Sequence, residues 1–183
     1  MALTKRQYLF QKFDQLEYGM CFHINNYSRR LPIRSFFRLV SRLGDGAFWY
    51  CLILTLPLFN GYIGVIQMSY ITLIGLVSVC LYKILKTHLV RERPYISFGS
   101  IVAQTQALDR YSFPSGHSMN AACLAVLLGT CEVLLVEVAA VFAALVAASR
   151  VILGMHYPSD VVIGLLLGCL IAFAGLNVFP IPL

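Results

Sequence analysis

Charge is scarce in this sequence. Only 12% of its 183 residues are Asp, Glu, Lys or Arg, against about 25% in an ordinary soluble domain. With 59% hydrophobic residues, that shortage excludes a charged globular surface and points to a bilayer as the solvent. Acid is scarcer than base, with 8 acidic against 14 basic residues and a formal net charge of +6. In a soluble chain such a balance would suit nucleic acid. Here no charge-rich surface remains to meet a duplex, so lipid headgroups and phosphate are the expected counterparts. CxxC pairs are missing among the six cysteines, which argues against a zinc site and a disulfide framework. No internal repeat or low-complexity run is present. A cleavable signal peptide is not expected either, because a charged, amphipathic stretch follows Lys5 and Arg6.

What the sequence does have is long apolar runs. A spanning helix needs about 20 apolar residues. Five segments approach that length: Leu43–Gly61, Tyr62–Ile84, Ser115–Cys131, Leu134–Leu153 and Pro158–Phe179. They are punctuated by Asn60-Gly61, Arg93-Pro94, Pro114 and Tyr157-Pro158. The expected fold is all-α, a polytopic transmembrane bundle of about five spans over residues 43–183. Residues 1–42 differ. Leu9, Phe10, Phe13, Leu16 and Met20 recur at helical spacing, with Lys12, Asp14, Gln15 and Glu17 between them. This predicts an amphipathic helix that lies in the membrane interface, packs on the bundle as a collar, or does both.

Counting spans places the long polar stretch 86–113 and the 150–158 turn on one membrane face. Three clusters gather there: Lys86 to Pro94, Pro114 to His117, and Ser149-Arg150 followed by His156 and Asp160. Lys86, Arg93 and Arg150 come from different segments at one depth, where anionic oxygens would offset their charge; arginine forks suit phosphate. Ser115 and Gly116 open a helix, whose free N–H groups and positive dipole end favour an anion. His117 and His156 suggest divided labour, one imidazole attacking phosphorus and the other protonating the leaving oxygen. Asp160, one turn beyond His156, can fix its tautomer. Two histidines and a carboxylate can bind zinc in principle, but three cations would repel a divalent ion. No metal and no other cofactor is therefore expected.

The motifs Lys86-x6-Arg93-Pro94, Pro114-Ser115-Gly116-His117 and Ser149-Arg150-x5-His156-x3-Asp160 resemble, in order and spacing, the tripartite signature of the type 2 phosphatidic acid phosphatases. These are membrane lipid phosphatases related to vanadium haloperoxidases. The resemblance covers roughly residues 43–179. It implies that His156 forms a phosphohistidine, that His117 protonates the leaving group and later activates water, and that Asp160 orients His156. It assigns Lys86, Arg93, Ser115, Gly116 and Arg150 to a phosphate cradle, with vanadate as a transition-state mimic. The short chain is similar to small bacterial undecaprenyl-diphosphate phosphatases. Undecaprenyl diphosphate is therefore the first expected substrate, beside phosphatidic acid, phosphatidylglycerol phosphate and lipid A phosphate. Phosphotransfer to a second lipid, or lipid-phosphate binding without cleavage, are the alternatives. The implied location is a bacterial inner membrane with the site on the extracytoplasmic face. The charge count opposes this, since eight of the 14 basic residues precede the first span and the rest flank the same face, which the positive-inside rule would place in the cytoplasm.

Overall fold

The structure, a computed structural model, describes residues 5–107 and 109–178. Among them are seven helices: α1 (Lys5–Tyr27), α2 (Leu31–Gly44), α3 (Ala47–His88), α4 (Pro94–Ser97), α5 (Gly116–Gly129), α6 (Val133–Ile152) and α7 (Pro158–Val178). Phe179, the expected end of the last span, and the side chains of Lys5, Arg6 and Leu9 lie outside the described residues.

The first two expected spans correspond to α3. Its 42 residues would reach about 63 Å if straight, twice the hydrocarbon thickness. Instead it breaks at Gly61, whose φ of 55° and ψ of −128° favour a residue without a Cβ. A Cβ on Gly64 would lie 2.1 Å from the carbonyl oxygen of Leu56, so the chain doubles back there. Asn60 Nδ2 donates to Gln67 Oε1 at 3.0 Å across the bend. The first span begins at Ala47 and not at Leu43, because α2 runs on through Gly44 and a tight turn at Asp45-Gly46 separates the two helices.

The central helix is α5. At 14 residues it is shorter than the expected Ser115–Cys131, and Met119, Cys123, Leu124, Leu127 and Leu128 are all buried. Helix α7 lies against it through Gly164 and Gly168, one turn apart. A Cβ on Gly168 would meet the carbonyl oxygen of Met119 at 2.1 Å, so the backbones touch in the small-residue manner of membrane helices. Trp49, Leu56, Ile71, Phe142 and Val146 complete the core around α5.

The outside is apolar as well. Leu58, Phe59, Leu76, Leu134, Leu170 and Phe173 are exposed, an exterior that water would not support over this area. Helices Ala47–His88, Leu134–Ile152 and Pro158–Val178 are long and apolar enough to cross a membrane. The protein is an integral membrane protein with a helical-bundle fold.

The N-terminal segment forms two helices, parted at residues 28–30, where a single amphipathic helix was expected. On α1, Phe13, Leu16 and Met20 face outward, while Asp14, Cys21 and Asn25 are buried against the bundle. The buried side thus carries polar residues, Asp14 and Asn25, beside the apolar contacts of Tyr18, Cys21 and Ile24. Asn25 Nδ2 donates to the carbonyls of Val102 and Ile152, and Glu17 accepts from the backbone of Ser159 at 2.7 Å. These contacts seat α1 on the same end of the bundle as the polar loops.

Candidate active site

At that end, the C-termini of α3 and α6 meet the N-termini of α5 and α7. The chain leaves α6 through a turn at Gly154, φ 73°, in which the N–H groups of Met155 and His156 both donate to the carbonyl of Arg150. This presents His156 to the interior, 1% exposed. Arg93 NH1 donates toward His156 Nε2 at 3.3 Å. A guanidinium has no acceptor, so Nε2 carries the lone pair and Nδ1 the proton. Nδ1 faces Ser112 Oγ at 3.4 Å and Asp160 Oδ2 at 3.6 Å. Ser112 Oγ in turn donates to Asp160 Oδ2. The expected direct bond from the ring to Asp160 is therefore bridged by a serine. Burial, followed by the charges of Arg93, Arg150, Lys86 and His117, holds the His156 imidazole well below its ordinary range. The ring is neutral, and its Nε2 lone pair is directed toward Arg93.

Those cations are the expected ones. Lys86 and Arg93 converge on one carboxylate, Asp109. Lys86 Nζ donates to its two oxygens at 2.9 and 2.8 Å, and Arg93 NH2 to Oδ1 at 2.9 Å. Burial works against ionisation of Asp109, but these two partners outweigh it and hold its carboxyl below the usual range. Arg150 donates to Ser41 Oγ at 2.6 Å, and its buried Nε has no acceptor. Buried donors are seldom left unpaired.

The start of α5 differs in detail from its expected part. Ser115 caps the helix, its Oγ accepting from Ser118 N at 3.4 Å and lying 2.9 Å from Ser118 Oγ. Its hydroxyl is thus turned to its own helix. Its N–H donates to the carbonyl of Asp160 at 3.1 Å, which joins the starts of α5 and α7. A Cβ on Gly116 would come within 2.9 Å of the Tyr82 ring, so close packing also requires glycine there. His117 Nε2 bonds Asp45 Oδ1, on the turn between α2 and α3.

Five further polar residues take part that the motifs do not name: Ser41, Asp45, Arg91, Asp109 and Ser112. Arg91 is the largest omission. It is 2% exposed and bonds Asp14, Glu17, Ser159 and Asp160 at 2.5–2.8 Å, with its guanidinium 4.0 Å from the Tyr157 ring centre. Burial, together with Asp160 and Glu17, pushes the Asp14 carboxyl up to about 6 despite the pull of Arg91. A charged residue two places before Arg93 was a visible hint, but its partners on α1 are more than 70 residues away in sequence.

The chain is similar to several known proteins. The chain is 38% identical to phosphatidylglycerophosphatase B of Bacillus subtilis, over 51% of this chain and 48% of that one. It is 37% identical to decaprenylphosphoryl-5-phosphoribose phosphatase of Mycobacterium tuberculosis, over 43% and 42%. The chain thus spans less than half the length of these curated relatives. A crystal structure of Aquifex aeolicus LpxE superposes with a TM-score of 0.75 at 26% identity, covering 88% of this chain and 95% of that one. That of a transmembrane PAP2 type phosphatidylglycerolphosphate phosphatase from Bacillus subtilis shares the fold, with a TM-score of 0.68 at 24% identity, over 96% of each chain. Residues 66–181 match the model of the PAP2 superfamily, a stretch that holds all three motifs, and the chain belongs to that family.

Proposed function

We propose that this protein is a lipid phosphatase that works through a phosphohistidine on His156 without a metal. The observation that carries the proposal is the lone pair of a buried, neutral His156 Nε2 placed among Arg93, Lys86 and Arg150. A phosphate held by those cations lies in line with that nitrogen. Nε2 attacks phosphorus while the bond to the lipid oxygen breaks, and His117 protonates that oxygen. The lipid alcohol leaves, and His117 then takes a proton from the water that releases phosphate from His156. Ser112 and Asp160 keep the His156 proton on Nδ1, and the N-terminus of α5 at Ser115 and Gly116 completes the cradle. Fixed charges of this kind supply most of the acceleration in phosphoryl transfer.

The substrate is a phosphate-bearing membrane lipid. Two relatives are named phosphatidylglycerophosphatase B and decaprenylphosphoryl-5-phosphoribose phosphatase, names that support testing phosphatidylglycerol phosphate first, beside undecaprenyl diphosphate. The outward Phe13, Leu16 and Met20 of α1 support an interfacial seat for that helix beside the site. The site faces the extracytoplasmic side of a bacterial inner membrane. Lys86, Arg91, Arg93 and Arg150 are buried in it and do not count as topological signals. Reagent labelling of a single cysteine near residue 100 in intact cells tests that orientation, and protection there would reverse it.

The function is tested by phosphate release from purified protein in EDTA, across phosphatidylglycerol phosphate, phosphatidic acid, undecaprenyl diphosphate and lipid A phosphate, with His156→Ala in parallel. Release that persists in EDTA and is lost in the variant is the expected result. Release that requires a divalent metal, or survives His156→Ala, overturns the mechanism.

A further inference from the structure

Asp109 is joined by a second carboxylate from outside the three motifs. Asp45 sits in the turn between α2 and α3 and accepts from His117 Nε2. The turn is held rigidly. Asp45 and Gly46 donate back to the carbonyls of Arg42 and Leu43 at 3.2 and 3.3 Å. Gly46 has a φ of 149°, and a Cβ there would lie 2.7 Å from the Tyr50 ring. Gly44 is pressed against α6, where its Cβ would meet Val146 at 2.8 Å. A carboxylate on so fixed a turn can set the angle of an imidazole.

We infer that Asp45 is the positioning residue for His117, a counterpart to Asp160 on the other side of the phosphate. This rests on the phosphatase function proposed above. A leaving lipid oxygen needs a proton, so His117 must be an imidazolium when the P–O bond breaks. Burial, Arg150 and Lys86 oppose that charge, and Asp45 offsets them in part. Asp45 supplies the compensating negative charge and binds the Nε2 proton, which leaves the Nδ1 proton for the lipid oxygen. After transfer the neutral ring is already the correct tautomer, with Nδ1 free to take a proton from water. The carboxylate itself stays ionised throughout. Burial opposes that state, but the bond to His117 and the charges of His117, Arg150 and Arg42 outweigh it.

The test uses leaving groups of different quality. An alkyl lipid phosphate needs general acid help, whereas 4-nitrophenyl phosphate has a leaving group stable enough to depart with little. With full-length protein in detergent, Asp45→Asn should lower kcat on phosphatidic acid by roughly 10–100-fold with little change in KM, and lower 4-nitrophenyl phosphate turnover far less. Asp45→Glu should recover part of the lost lipid turnover. Equal losses on both substrates would assign Asp45 to structure or phosphate binding and overturn the inference, as would unchanged lipid turnover. His156→Ala, run alongside, must remove turnover of both substrates. Activity surviving there would overturn the underlying phosphatase function as well.

Discussion

Arg91 NH1 lies 2.5 Å from Asp160 Oδ1, so the carboxylate beside His156 is held from behind by a buried guanidinium. The same guanidinium holds Asp14 and Glu17 of α1. The N-terminal helix is thereby tied to the candidate catalytic residues by charge, in addition to the apolar packing of Tyr18, Cys21 and Ile24.

Replacing Arg91 by Met should therefore affect both stability and turnover. It leaves three carboxylates around an emptied position, and breaking such a buried set costs about 3–5 kcal/mol. Thermal unfolding in detergent should show the loss, and phosphate release should fall with it. Arg91→Lys should remain impaired, since one ammonium cannot reach all the acceptors that the fork spans. An Arg91→Met protein with unchanged melting would contradict the contacts seen here.

The pH response follows from His156. Its folded imidazole binds a proton less readily than the unfolded one. The stability this confers is complete above the ordinary histidine value of about 6.5 and is lost as pH falls below it toward the folded value. Ring carbon NMR of labelled histidine, assigned with His156→Asn, should show His156 still neutral at pH 6. A ring that titrates in the ordinary range would remove the argument for a free nucleophile at mildly acidic pH.

Asp109 occupies two of the cations that a phosphate needs. Asp109→Asn should tighten binding of inorganic vanadate, by roughly tenfold for ~1.4 kcal/mol of lost competition. The inhibition constant measures this directly. Weaker binding would show instead that Asp109 orients Lys86 and Arg93 for the substrate.

Gly168→Ala should lower the melting temperature. Its new methyl group meets the Met119 carbonyl oxygen at 2.1 Å, so α7 must move off α5. The starts of those two helices carry Asp160 and Ser115, and activity should decline with the separation. An unaltered melting temperature would show that the helices part without cost.

Periodicity and breakers told much of the fold. Asn60-Gly61 marked the reversal inside α3, and Pro158 marked the start of α7. The end of α2 was missed because Leu43 and Gly44 continue an apolar run, and only Asp45-Gly46 shows where the chain turns. The polarity of α1 was read in the usual sense, apolar toward protein or lipid. Asp14 and Asn25 are buried because their partners, Arg91 and the Val102 and Ile152 carbonyls, wait on other segments.

By itself the sequence determined the solvent of this protein and its helical class, and it proposed His117, His156, Asp160, Lys86, Arg93 and Arg150 as candidate site residues. Those are properties of residue type and local spacing, and a helix or a three-part motif keeps them wherever it packs. Only the tertiary structure decided which nitrogen of His156 is free, that Ser112 stands between it and Asp160, and that Asp45, Arg91 and Asp109 join the site. Such facts depend on directions of side chains brought together from distant segments. No local pattern encodes them, because a buried charge is stabilised by whichever partner the packed helices deliver.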